Sequence, residues 1–270
     1  MQAPSPDVIL RVENLVKEYP AKRVLDGVCF EADGGEVLVL MGGSGAGKST
    51  IFKCIIGATP ITSGHVWIDG TDITTVANER CYDEIRKKYG VAFQNGALFQ
   101  SMTVGENVAL PLRFHTKLDE DTIKVMVKMK LEQVGLRDAE DLLPSQISGG
   151  MLKRAAFARA VALDPRIVFF DEPSAGLDPI VVSVIDELIL DFSKKLGLTC
   201  VVITHELASA FRIADRIIML HQGKIIRQGT PEEIRGSDDP LVQQFITGSP
   251  EGPIPRNVSR TDYITDILEA

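Results

Sequence analysis

The run Gly42-Gly43-Ser44-Gly45-Ala46-Gly47-Lys48-Ser49-Thr50 is dense in residue types that can hold phosphate. It fits G-x-x-x-x-G-K-[ST], the phosphate-loop pattern. Its glycines let the backbone curl until successive N–H groups point inward at anionic oxygens. A helix beginning near Lys48 would add its N-terminal dipole to the same site. Lys48 is placed to pair with β- and γ-phosphates, and the Ser49 hydroxyl to help hold Mg²⁺. Nucleotide binding is the expectation.

A second chemical locus lies at Asp171-Glu172, where an apolar run ends in two acids. Adjacent carboxylates at a buried strand end are costly unless a cation or a catalytic task offsets them. With a phosphate loop in the same chain, Asp171 is the expected second partner of Mg²⁺. Glu172 is then the expected base that orients and deprotonates an attacking water.

These residues need elements that hold them. The runs at 37–41, 167–170, 200–203 and 217–220 are short, continuous and rich in β-branched residues. Continuous rather than alternating, they read as strands covered on both faces, as in a parallel sheet flanked by helices. The segments 9–16 and 24–31 alternate more and predict an antiparallel edge region. Between 119 and 134, Ile123, Met126, Val127, Leu131 and Val134 step by three and four, which predicts an amphipathic helix. Gly248, Pro250, Gly252, Pro253 and Pro255 break any helix near the end. Beyond them, Tyr263, Ile264, Ile267 and Leu268 fit either one face of a short helix or a frayed terminus.

Composition bounds the partners. The 270 residues carry 29 Lys+Arg against 37 Asp+Glu, a net charge of −8, which argues against nucleic acid as a partner and against a polybasic membrane anchor. No apolar run approaches the roughly 18 residues of a membrane-spanning helix. The first residues, MQAPSPDVIL, lack the basic start and apolar core of a signal peptide. Cys29, Cys54, Cys81 and Cys200 are scattered, with no CxxC pair, and predict buried reduced thiols.

Ile147-Ser148-Gly149-Gly150-Met151, with the helix-like run that follows, resembles the LSGGQ signature of ATP-binding-cassette (ABC) ATPases. The family's other motifs are present in its order. Tyr19 resembles the aromatic residue that stacks on adenine, and Gln94, after a strand at 90–93, resembles the Q-loop glutamine. Ser174-Ala175-Gly176-Leu177-Asp178 resembles the D-loop, and His205, after a strand at 199–204, the switch histidine. The resemblance spans about residues 8–247.

It implies an α/β fold: a P-loop NTPase (RecA-like) core with a mostly parallel sheet, an N-terminal antiparallel β region and an inserted helical subdomain. The implied ATPase domain is 1–247, with its core at about 1–97 and 160–247, the helical subdomain at about 98–159 and an extension at 248–270. ATP and Mg²⁺ are the implied ligands, and Gln94 joins Ser49 and Asp171 at the metal. The Ser148, Gly149 and Gly150 anion site stands apart from the phosphate loop within one chain. The resemblance resolves this by head-to-tail pairing of two copies, each ATP lying between one copy's loop and the other's signature, with Asp178 at that contact. His205 would hydrogen-bond the γ-phosphate.

Two signature positions depart from the usual pattern. Ile147 for leucine is conservative, whereas Met151 for glutamine removes an amide that can hydrogen-bond. The Met151 variant, Arg154-Ala155-Ala156, Phe245, Gly248, Gly252-Pro253-Ile254-Pro255 and Asp262-Tyr263 resemble the MlaF-type ATPases of phospholipid transport systems linked to outer-membrane lipid asymmetry. That resemblance implies a peripheral protein on the cytoplasmic face of a bacterial inner membrane, under an MlaE-like polytopic permease. MCE-domain (MlaD-like) and STAS-domain (MlaB-like) subunits would accompany it. The permease is expected to dock near Leu98 to Val108. Amino-acid, lipoprotein and metal transporters share the core motifs and stay open, as does a soluble assembly-type ATPase.

Overall fold

A computed structural model of the chain describes residues 7–76 and 79–254. The chain begins with two long antiparallel strands, β1 (Val8–Tyr19) and β2 (Lys22–Asp33). Both outrun the expected 9–16 and 24–31. Register shifts on both sides of Leu15 break the alternation that the pattern reading relied on, and Asn14 takes φ 49 there. β3 (Val37–Gly42) leads through the glycine loop into α1 (Lys48–Ile55), followed by β4 (Ser63–Ile68), β5 (Thr71–Asp72), α2 (Glu79–Arg86) and β6 (Tyr89–Ala92).

Three helices come next: α3 (Val104–His115), α4 (Glu120–Gln133) and α5 (Gly149–Ala160). β7 (Ile167–Asp171), α6 (Pro179–Leu196), β8 (Thr199–Ile203), α7 (Leu207–Ile213) and β9 (Arg216–His221) restore strand–helix alternation. β10 (Lys224–Gly229), α8 (Pro231–Arg235) and α9 (Pro240–Thr247) follow. Gly248, in the left-handed region at φ 64, ends α9 as the glycine cluster predicted. Pro255, Asp262, Tyr263, Ile264, Ile267 and Leu268 lie outside the described residues.

β2-β1-β4-β5 form an antiparallel sheet, and β10-β9-β3-β8-β7-β6 form a second sheet. In the second sheet every neighbouring pair is parallel except β10 on β9. Its continuous apolar runs are covered on both faces. Val39, Met41, Val168, Phe170, Val202 and Met219 face one core, with α3, α4, α5 and α6. Leu38, Leu40, Phe169, Val201 and Ile218 face the other, with α1, β1 and β2. Helices α3 and α4 thus share a core with the sheet through α5.

The close approach of β6 to the end of α5 leaves room only for glycine at position 90. A Cβ on Gly90 would drive into the main-chain carbonyl of Ala160 at the end of α5. Gly90→Ala is therefore expected to lower stability by about 3 kcal/mol in urea unfolding, because the Cβ is fixed rigidly to its strand and the group it meets is main chain that cannot swing aside.

The cysteines divide, and the side chain of Cys81 lies outside those described. Cys54 and Cys200 are buried as expected, but Cys29 is exposed, between the inward-facing Val28 and Phe30 on β2. Burial pushes the Cys54 thiol up to about 11 and raises Cys200 further. At pH 8 about one Cys54 in a thousand would be thiolate. Iodoacetamide on the native protein should therefore label Cys29 and spare Cys54 and Cys200, as read by peptide mass spectrometry.

Candidate functional site

Four parallel strands deliver their C-terminal ends to one edge of the sheet. The phosphate loop follows β3, Gln94 follows β6, Asp171-Glu172 close β7, and His205 follows β8. The register is tight: Leu40 pairs with Ile203, and Ile203 with Asp171. Glu172 extends the ladder by donating its N–H to the Ile203 carbonyl at 2.8 Å. Ligands in open α/β sheets collect at this carboxyl edge.

The loop is built for an anion. Gly47 stands at the N-terminus of α1 with φ 109 and no side-chain cap, so the first helical N–H groups keep their hydrogen-bonding capacity. A Cβ at Gly47 would come within 2.7 Å of Leu25 Cδ2, so the conformation and the space both demand glycine. Lys48 Nζ lies back over the loop and donates to the carbonyls of Gly42 at 2.6 Å and Gly43 at 3.1 Å. Burial lowers its pKa, while the nearby Glu172 and Asp171 charges oppose the shift. Ser44, Gly45 and Ser49 are exposed, and Ala46 is buried beneath the loop.

Burial raises the Asp171 carboxyl, and the Glu172 charge adds to the rise; Lys153, Lys53 and Lys48 oppose it. Glu172 is a non-glycine residue at φ 48, a conformation that costs about 1–2 kcal/mol. Its carboxylate Oε2 sits 2.9 Å from His205 Nδ1. The expected base and the expected switch histidine are thus one hydrogen-bonded pair, the acid mostly covered and the imidazole largely open to solvent.

Tyr19 ends β1 with its ring 44% exposed, and Lys17 Nζ stands 4.8 Å from the ring centroid. Ser148 caps α5 by accepting from the Met151 N–H at 3.3 Å, and Gly149 and Gly150 form the first turn. A Cβ on Gly150 would come within 2.6 Å of Val181 Cγ1, so the signature turn packs on α6. Asp178 is the cap of that helix and accepts from the Ile180 and Val181 N–H groups at 3.0 and 3.1 Å. Both bonds end on Oδ1, so a contact with nucleotide would fall to Oδ2 while the cap stays in place. The structure gives no direct contact between this signature–Asp178 group and the phosphate loop.

Two cations in α5 escaped the sequence reading. Lys153 donates to the carbonyls of Gln94 and Glu172, and Arg159 donates to the carbonyls of Gly96 and Ala97 at 2.8 and 2.7 Å. Burial lowers the pKa of both. The available signal was position: Lys153 shares its helix face with Ala156, Phe157 and Ala160, where an apolar residue is expected.

Comparisons with known proteins agree with this arrangement. Residues 25–175 match the family model described as ABC transporter. The chain is 40% identical, over 97% of its length and 98% of the other protein, to the intermembrane phospholipid transport system ATP-binding protein MlaF of Haemophilus influenzae. It is 42% identical, over 92% of its length and 71% of the other, to the "Probable ribonucleotide transport ATP-binding protein mkl" of Mycobacterium leprae. Among solved structures it superposes, with TM-score 0.76 and 30% identity over 82% of this chain and 98% of the other, on a dimeric post-hydrolysis ATP-binding cassette bound to ADP and Pi. A matched family model, a full-length relative and a cassette fold, joined to the phosphate loop and its acidic strand end, place the chain in the ABC transporter family as an ATP-binding, ATP-hydrolysing cassette.

Proposed function

We propose that this ATPase powers phospholipid movement, working as a head-to-tail pair of copies under a separate MlaE-like permease at the cytoplasmic face of a bacterial inner membrane. The observation that carries the cargo is the 40% identity, across 97% of the chain, to an ATP-binding protein of intermembrane phospholipid transport. MlaD-like and MlaB-like subunits would complete the assembly. Among the described residues no helix is long and apolar enough to cross a membrane, so another subunit must do so.

The site residues take these roles. The exposed ring of Tyr19 offers a face to adenine. Gly42, Gly43, Ser44, Gly45 and Gly47 would present main-chain N–H groups to the phosphates, and those of Ala46 and Thr50 would first leave the carbonyls of Gly43 and Gly47, 3.2 and 3.0 Å away. Lys48 exchanges its two carbonyl partners for phosphate oxygens. Ser49, Asp171 and Gln94 supply hard oxygens, a donor set that suits Mg²⁺, which needs few protein ligands beside phosphate and water. Mg²⁺ bound there would neutralise phosphate charge. Glu172 accepts the proton of the attacking water while His205 holds the carboxylate and reaches toward the γ-phosphate. Ser148, Gly149 and Gly150 of a second copy close the site, and Asp178 fixes the helix on which they rest. A ligand shared by both copies favours the closed pair.

Purification from detergent tests the proposal. Copurification of a polytopic permease with an MCE-domain protein, and ATPase activity raised by phospholipid, is the expected result. A purely soluble complex would move the chain to the assembly-type ATPases. The mycobacterial likeness supports a second cargo: stimulation by ribonucleotides with indifference to phospholipid would select it.

A further inference from the structure

Lys153 is 7% exposed, yet its ammonium meets two main-chain carbonyls, those of Gln94 and, at 3.1 Å, Glu172. Removing an ammonium from water is expensive, and the two carbonyls, with the nearby Asp171 and Glu172 charges, offset only part of that cost: burial still lowers its pKa. A methionine would fill the same space without that cost. The charge therefore points to a task beyond packing.

Its two acceptors follow the adjacent strands β6 and β7, each two residues beyond the last pair between them. Glu172 sits in the left-handed region at φ 48, a conformation that persists only when the surroundings over-determine it. Its N–H is held by Ile203 on β8, and its C=O accepts both from Lys153 on α5 and from the Ala175 N–H at 3.2 Å. With both ends of the residue fixed, its carboxylate faces His205 at 2.9 Å. Lys153 is also two turns or less from Ser148, Gly149 and Gly150, which begin the same helix.

Resting on the reading of Glu172 as the base, we propose that Lys153 is a positioning residue for hydrolysis. It clamps the carbonyls of Gln94 and Glu172 together, so that a shift of α5 against the sheet re-aims the Glu172 carboxylate. The helix that meets the second copy's nucleotide would thereby set when the water is activated.

The test uses the full-length protein in its copurified complex, with Lys153→Met, Lys153→Gln and Lys153→Arg. Steady-state ATPase rates and Mg-ATP binding by calorimetry are the readouts. Lys153→Met should lower kcat about tenfold or more while the Mg-ATP Kd stays within about threefold, the split expected when alignment and not binding is lost. Lys153→Gln, which keeps one donor, should fall between wild type and Lys153→Met. Lys153→Arg should recover about a third or more of the wild-type kcat. Should Lys153→Met lose its cooperative thermal transition, Lys153→Gln is judged by the same split against Lys153→Arg.

A kcat within about twofold of wild type, a parallel loss of affinity and rate, or an arginine variant as slow as methionine would each overturn the clamp. So would a site at which neither Met nor Gln folds. A wild-type complex that hydrolyses no ATP would instead overturn the functional reading on which the clamp rests.

Discussion

Glu172→Gln should bind ATP as wild type does and turn it over about 10² to 10³ times more slowly, trapped as a closed pair. Glutamine is nearly isosteric, so the left-handed main chain and its bond to Ile203 can persist. Its amide can still face His205 at the position where the carboxylate oxygen lies 2.9 Å away. What it cannot do is accept a proton from water. In the proposed pair ATP is shared by the two copies, so a pair that does not hydrolyse would not reopen. Single-turnover phosphate release measures the chemical step, and size-exclusion chromatography with Mg-ATP measures the accumulated pair. Wild-type turnover by this variant would return Glu172 to the role of a structural acid that merely orders His205.

Lys48→Ala is expected to act earlier, on binding itself. The lysine is the loop's one side-chain cation, partly buried, and its ammonium already spans two carbonyls at the position phosphate oxygens would take. Charge-assisted hydrogen bonds to phosphate contribute about 1.5–3 kcal/mol each, so losing them should weaken Mg-ATP binding by about 10²-fold. Fold stability should change less than binding, since Lys48 is only partly buried and its two bonds both end on carbonyls of the loop. Calorimetric titration with Mg-ATP reads the loss, and a thermal melt controls for folding. A Kd within about threefold of wild type would mean that the backbone N–H groups carry the phosphates unaided.

Much of this was legible because it is local. The strand before the glycine loop, the acid pair at a strand end and the step-of-three-and-four helix at 119–134 are each encoded within a dozen residues. The structure places β3, β7 and α4 at those positions. What escaped was non-local or broken in period. β4 and β10 are short, only partly buried strands whose faces become apparent only against β1 and β9. The bulged register of β1 hid its true length. At the site, residue types and order were readable, but the Glu172–His205 bond joins positions 33 apart and depends on a main-chain angle that no residue type announces. Lys153 and Arg159 look like ordinary helix cations until the turns they grip are in place.

The carboxyl edge of the six-stranded sheet has a consequence for how such a site can drift over time. Leu40, Ile203 and Asp171 form one row, so the loops after β8 and β7 start from a common line that β3 crosses two residues before its end, the strands spaced by the hydrogen-bond lattice at about 4.8 Å. The sheet behaves as a graduated scale whose markings are the reacting groups. Loop substitutions can alter what stands at a marking but not the interval between two of them. A one-residue slip in β8 would displace its marking against both neighbours at once. Selection can therefore retune the chemistry of each position freely, while the distances among positions are inherited together.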